Sequence, residues 1–347
     1  DYAFADCSSL AGFSISDKVA SIGQYAFQNC TSLKEVTIPG NVKTLGKYMF
    51  YGCTGLTNVV ISDGVESIGN YLFDRCTALE TLTLPFAGMS LTDVEANTYT
   101  RLGSIMFCSN EIEGTYYVGS YGVPSTLTSI TITGGNCIPQ YAFADMSSLT
   151  EIKLPDTITA INEKAFYGCS GLASINLPDA VETIEQYAFS GCSSLPYIMF
   201  TSDAPEIQSN VFQNISIDVY YPSYCNNWEN IITNNYGGTI NWKPMAKFVI
   251  NKQPTNIVVS EGKKASTTVN ASGDGLTYTW YVCSPSGTKY TKSSITSATY
   301  SYTMTADKSG RKVYCVITDK YGNSVKTDTV TLIMGNTVEI VAQPENI

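Results

Sequence analysis

Eleven cysteines, thirty carboxylates and no histidine set the chemical limits of this chain. Without histidine there is no Ser-His or Cys-His nucleophile pair, no imidazole acid–base step and no His-ligated zinc or iron. Cysteine remains as a metal or redox ligand, and paired carboxylates remain as acid–base candidates. The cysteines contain no Cys-x-x-Cys pair, which removes the usual spacing of a thiolate metal site. Six of them, Cys7, Cys30, Cys53, Cys76, Cys169 and Cys192, instead occupy one position of a 23-residue period, which Met146 and Ile215 fill elsewhere. A position that accepts Met and Ile is selected for burial, so these residues are read as buried free thiols. Cys108, Cys137 and Cys225 lie off this ladder. Glu111 with Glu113, and Asp93 with Glu95, are the nearest carboxylate pairs. Glycoside hydrolysis needs such groups on opposite sides of a cleft, and these read as solvated loop charges. No phosphate-cradling glycine motif is present. No cofactor, no metal and no enzymatic activity are expected.

The elements that would position any site follow from the same period. Phe4, Phe27, Phe50 and Phe73 are 23 residues apart, and Phe143, Phe166, Phe189 and Phe212 resume the step. Leucine recurs six residues after all but the last of these Phe (Leu10, Leu33, Leu56, Leu79, Leu149, Leu172, Leu195), and Ile or Leu five before all but the first (Ile22, Leu45, Ile68, Ile138, Ile161, Ile184, Ile207). Each unit contains a stretch such as Leu33-Lys34-Glu35-Val36-Thr37-Ile38-Pro39. Its alternation predicts a short strand with one buried face, ended by a proline that cannot donate to a ladder. The stretch 23–30 is predicted to form a single helical turn. One unit cannot bury enough apolar surface to offset the entropy of ordering its backbone, so neighbours must stack into a solenoid with a shared core.

The Ala-Phe-x-x-Cys-x-x-Leu-x-x-Ile-x-Ile-Pro unit resembles the BspA-type leucine-rich repeats of bacterial surface proteins. The resemblance implies an extracellular protein, and adhesion to host proteins is known for some members. It covers residues 1–246, with irregular enlarged coils at about 86–135 and a cap at about 213–246. One or two enlarged coils are expected, with loops that hold Tyr99, Tyr116, Tyr117 and Tyr121. Residues 247–336 resemble an immunoglobulin-like domain, with Trp280 as the buried tryptophan and Cys315 on a later strand. Val269 stands where the partner cysteine would be, so the inter-sheet disulfide is expected to be absent. Gln253-Pro254-Thr255-Asn256-Ile257 recurs as Gln343-Pro344-Glu345-Asn346-Ile347, so residues 337–347 read as the start of a further such domain. The fold class expected is mainly β: a leucine-rich-repeat solenoid of 23-residue coils with short helical turns, then an immunoglobulin-like β-sandwich. Opening mid-repeat at Asp1-Tyr2-Ala3-Phe4, the sequence reads as a piece of a longer protein.

The formal net charge of −10 without a basic cluster repels nucleic acid and anionic membranes, and no apolar run reaches the roughly 20 residues of a membrane span. Strand register places Glu35, Thr37, Asn58, Val60, Thr81, Thr83, Ser129, Thr131, Glu151, Lys153, Ser174, Asn176, Tyr197 and Met199 outward. These positions are free of the core and vary, which is what a recognition surface requires. Val60, Tyr197 and Met199 are its candidate apolar anchors. The tyrosine stripe two residues before the Phe (Tyr2, Tyr25, Tyr48, Tyr71, Tyr141, Tyr187) reads as an amphipathic outer layer. The expected function is a non-enzymatic cell-surface adhesin or recognition module whose solenoid binds an extracellular host protein or glycan. The alternative is a substrate-anchoring or spacer region of a larger secreted enzyme.

Overall fold

The computed structural model describes residues 1–90, 102–107 and 123–335 of the 347-residue chain. Two compact units divide it, Asp1–Pro244 and Met245–Ile347.

The first unit is a β-solenoid of about nine turns with almost no helix. Alternation in the sequence becomes alternation in space: Glu35–Ile38 is exposed, buried, exposed, buried along its four residues. Strands of successive coils pair in parallel at the repeat interval. The result is a six-stranded sheet of Glu35–Ile38, Asn58–Ile61, Thr81–Leu84, Ser129–Ile132, Glu151–Lys153 and Ser174–Ile175, in that order. Its inward residues, among them Val36, Val59, Leu82, Ile130, Ile152 and Ile175, form one continuous core with the rest of the coils. Two-residue strands on a second side pair the same way. Ser21–Ile22, Thr44–Leu45 and Ser67–Ile68 make one side sheet; Cys137–Ile138, Ala160–Ile161, Thr183–Ile184 and Glu206–Ile207 make another.

The stretch 23–30 is not a helical turn. Tyr25 and Asn29 adopt left-handed φ values of 55°, and Gln28 and Cys30 bond back only three residues, to the Tyr25 and Phe27 carbonyls. The reason lies in the neighbouring coil. The N–H groups of Tyr25, Phe27 and Asn29 donate to the carbonyls of Lys47, Met49 and Tyr51. A helix would use those donors internally and leave the stacking unsatisfied. The left-handed residues turn every second N–H toward the next coil, and the phenylalanine between them packs inward. Phe27–Phe50 and Phe50–Phe73 centroids are 5.6 and 5.8 Å apart, and Phe143–Phe166 and Phe166–Phe189 both 5.3 Å.

The interruption is one enlarged coil in the sheet, not two. Thr81 pairs directly with Ser129, 48 residues later, so no strand is inserted between them. Phe107, at the end of the short helix Leu102–Phe107, stacks on Phe73 at 5.9 Å and keeps the aromatic column going. The side sheet does not bridge the interruption. Residues after Leu84 turn back instead, and Ser90 forms an antiparallel bridge with Ser67. Towards its C-terminal end the unit changes pattern. Tyr197–Met199, Ser216–Pro222 and Thr239–Met245 form a separate sheet, and Trp228 on the short helix Trp228–Ile231 is buried against Phe200 and Tyr221.

The second unit is antiparallel in most of its pairings. Its main sheet runs Ile257–Val259, Val330–Met334, Arg311–Thr318, Thr277–Cys283, Thr291–Lys292, with Ser324–Lys326 also on Arg311–Thr318. Lys264–Thr268 pairs Thr299–Thr303, and Val249–Lys252 pairs Asn270–Ser272. Trp280, fully buried, faces Cys315 across the ladder, and its indole N–H donates to the Ser297 carbonyl at 2.9 Å. Val269, Tyr300, Val313 and Leu332 complete this core. Cys283 is buried but pairs with Lys312 on the other parity from Trp280, and both Cys283 and Cys315 are free thiols.

Candidate functional site

Parallel pairing in strict register turns the outward positions into two straight rows. Glu35, Asn58, Thr81, Ser129, Glu151 and Ser174 are successive partners in one. Thr37, Val60, Thr83, Thr131 and Lys153 are successive partners in the other. Asn176 follows the last strand and is exposed. Neighbours in a row stand one strand spacing apart, about 4.8 Å, so their side chains interact along it. Thr81 Oγ1 donates to Asn58 Oδ1 at 2.6 Å, and Ser129 Oγ donates to Glu151 Oε2 at 3.4 Å. Lys153 pairs with Glu151 at 3.6 Å. Both of those charged groups are well exposed, so the ion pair contributes little to stability and leaves them available to a ligand. A small depression of about 130 Å³ lies among Glu151, Lys153, Leu154, Ser174 and Asn176.

Two of the expected anchors lie just past the end of the six-stranded ladder. Tyr197 and Met199 pair with Asp218 and Tyr220 in the separate C-terminal sheet, not with the six-stranded one. Tyr197 is 46% exposed and meets Tyr220 edge-on at 5.9 Å. The strand Tyr197–Met199 still lies beside Ser174–Ile175, but the hydrogen-bonded ladder lapses there, because Pro196 stands where Thr150 and Ala173 donate a backbone N–H to the preceding coil and proline has none to give. Val60 is half-buried within its row. Tyr99, Tyr116, Tyr117, Tyr121, Cys108 and both carboxylate pairs at 93–95 and 111–113 lie outside the described residues.

Five of the six ladder thiols are buried as expected, and the sixth, Cys7, is exposed, because no coil among the described residues stands before it to cover it. Cys53, Cys76, Cys169 and Cys192 are buried, and each donates its S–H to the carbonyl of the Phe 26 residues earlier, at 3.0 to 3.1 Å. Burial pushes the thiols of Cys53 and Cys192 up to about 12, so at neutral pH both are held as unreactive thiols. Cys137 is buried on a side-sheet strand, and Cys225 is half-buried. Among the described residues no cluster of three or more Cys, Asp or Glu could hold a metal ion.

One feature escaped the sequence reading. The tyrosine stripe sits at left-handed φ, with Tyr2–Tyr25, Tyr25–Tyr48 and Tyr48–Tyr71 rings 4.9, 4.9 and 5.0 Å apart. Lys164 takes the tyrosine position in its coil, also at positive φ, and its ammonium lies 4.9 and 5.5 Å from the Tyr141 and Tyr187 rings. The missing ring at 164 was the available signal.

The model of the BspA type leucine-rich repeat region, in six copies, matches residues 1–121 and 121–241. This chain belongs to the BspA-type leucine-rich repeat family. Among solved structures it is similar to a leucine-rich repeat protein from Eubacterium ventriosum, at 28% identity over 52% of this chain and 42% of that one, with a TM-score of 0.35. It is also similar to the leucine-rich repeat protein of T. pallidum (21% identity, 65% and 80% covered, TM-score 0.32) and to one from Bacteroides ovatus (25%, 70% and 80%, 0.26). The chain spans less than half the length of the Eubacterium ventriosum protein. A comparison with curated proteins gives no match. The family is one of repeat proteins, and among the described residues of this BspA-type chain no helix is long and apolar enough to cross a membrane.

Proposed function

We propose that this BspA-type solenoid is a non-enzymatic recognition module at a bacterial cell surface, binding an extracellular protein or glycan through its six-stranded sheet. The observation that carries the reading is the contrast between the two faces of that sheet. Inward, every row is apolar and close to constant, Val36-Val59-Leu82-Ile130-Ile152-Ile175. Outward, the paired row is Thr37-Val60-Thr83-Thr131-Lys153, mixed in charge, size and polarity. Packing accounts for the first and places no demand on the second. A rigid sheet holds such side chains at fixed spacing, which lowers the ordering cost of binding.

The second unit reads as an immunoglobulin-like sandwich acting as a spacer. The support is a fully buried Trp280 opposite Cys315, with Val269 in the same core where a disulfide partner would stand. The segment 108–122 and the pair Tyr197 and Met199 are secondary candidates for contact.

The test is a binding screen of the purified chain against immobilised matrix proteins and mucin glycans at physiological ionic strength. A saturable signal should fall at least tenfold in a variant with Thr37→Glu, Thr83→Glu and Thr131→Glu, outward positions of which the first is exposed and the other two half-buried, all on the side away from the core. Full retention of binding by that variant would remove the sheet as the site.

A further inference from the structure

The charge of this chain is divided unequally between its units. Residues 1–244 carry 23 Asp and Glu against nine Lys and Arg, and residues 245–347 carry seven against eleven. Within the solenoid the imbalance concentrates: residues 165–242 hold seven acidic residues and no Lys or Arg at all. Three of these, Asp179, Glu182 and Asp203, are exposed around an open depression of about 540 Å³, whose lining includes the apolar Val181 and Ala204.

The complement lies on the outward face of the main sheet of the second unit. Tyr281 pairs directly with Tyr314 on one side and with Lys292 on the other, and Lys326 pairs with Val316, two residues along from Tyr314. The Tyr281 and Tyr314 rings stack at 5.1 Å, Tyr290 leans on Tyr314 at 4.9 Å, and the Lys326 ammonium sits 4.1 Å over the Tyr314 ring. Lys292, Lys312 and Lys326 are exposed, and none forms an ion pair among the described residues. Among the described residues, no strand of this unit contains an Asp or a Glu. A sheet face with half-buried aromatics, unpaired lysines and no carboxylate has the composition of a docking surface for an acidic partner.

We propose that this face docks on the acidic half of the solenoid of a second copy of the chain. A long polyanion is disfavoured by the net charge of −10 of the chain as a whole, whereas a second copy brings a matching patch of acid with Val181 and Ala204 among its lining. Because the two surfaces differ, the contact is head-to-tail: each docked copy leaves one lysine face and one acidic face open, so association continues past the dimer. On a crowded surface even a weak contact of this kind is populated through high local concentration.

Sedimentation velocity of the whole chain, over a range of concentrations at about 0.05 M and about 0.5 M salt, tests this, because exposed charge pairs are screened over that interval. The mean mass should rise with concentration at low salt and return to one chain at high salt. Lys292→Glu, Lys312→Glu and Lys326→Glu together should weaken association tenfold or more, as should Asp179→Lys, Glu182→Lys and Asp203→Lys together. Mixing the two reversed variants should restore it, which also shows that both are folded. A single-chain mass at every concentration in low salt overturns the proposal. So does a failure of the mixed variants to associate. Binding of a sulfated glycan such as heparin to the lysine face, with the protein itself staying monomeric, would assign the surface to a polyanion instead.

Discussion

The two units solve the same problem, burying a β-rich chain, by opposite routes. In the solenoid each buried side chain is covered by its own counterpart from the next coil: Phe27 by Phe50, Cys53 beside the Phe27 carbonyl, Val36 by Val59. The core is one rule repeated, and its stability is a sum of coil and interface contributions. In the second unit nine other buried side chains share a core with Trp280, drawn from residues 265 to 332, and none stands one repeat interval from another. The first arrangement should fail locally and the second all at once. The largest expected effects test that difference. Trp280→Ala removes the centre of a small core and should cost about 3–5 kcal/mol. The thermal transition of the second unit should disappear while that of the solenoid stays in place. Phe166→Ala should cost a similar amount, but hydrogen exchange should rise chiefly in the coils on either side of 166. Exchange spread evenly through the solenoid would show that it folds as one block rather than coil by coil.

The same difference governs how much of each unit was legible in the sequence. A 23-residue period puts the same residue type at the same place many times, so Phe, Leu and Ile columns identify strand, core and stacking direction together. The outward rows followed from register alone. What could not be read was set by partners in other coils. The helical turn expected at 23–30 is locally reasonable, and it loses because Tyr25, Phe27 and Asn29 give their N–H groups to the next coil. Tyr197 and Met199 fit the repeat pattern and their strand lies beside Ser174–Ile175, yet the ladder lapses between the two because Pro196 has no N–H to donate where Ala173 and Thr150 do. The enlarged coil resisted counting because its strand Ser129–Ile132 simply takes the next place beside Thr81–Leu84, with an interval of 48 residues from Thr81 to Ser129. In the second unit only Trp280, Cys315 and Val269 stood out, because a non-repeating core gives each position a single appearance.

The thiols offer an intermediate effect confined to the solenoid. Cys53 and Cys192 stay protonated in the folded chain to about pH 12, because burial disfavours the thiolate, whereas the unfolded chain releases those protons near pH 9. The folded pKa lies above the unfolded one, so the neutral thiols cost nothing below about pH 9. Between 9 and 12 each should lower stability by about 1.4 kcal/mol per pH unit. Tyrosine ionisation overlaps this window, so the measurement is a difference: urea midpoints at pH 8 and 10 for the parent and for Cys53→Ala with Cys192→Ala. The double variant starts less stable and should lose less between the two pH values. Equal losses would mean the two thiols open to solvent before the coils separate.

The smallest effect concerns how strictly a repeat must repeat. Lys164 interrupts the tyrosine stripe, yet the stripe is not broken there. Its ammonium hydrogen-bonds the Tyr141 hydroxyl at 2.7 Å, pairs with Glu163 at 2.9 Å and faces both flanking rings. The hydrogen bonds to Tyr141 and Glu163 hold its pKa above the usual lysine range. A cation between two rings can do what a third ring does elsewhere, since each cation–π contact at a partly exposed site is worth about 0.5–1 kcal/mol and stacked aromatics about 0.5–1.5. Lys164→Tyr should therefore leave the unfolding midpoint nearly unchanged, and Lys164→Met, which keeps the length but removes the charge, should cost about 1 kcal/mol. If Lys164→Met were as stable as the parent, the stripe would be held by backbone geometry alone. If Lys164→Tyr were strongly destabilising, the lysine would be a fixture of its coil and not a substitute for the ring.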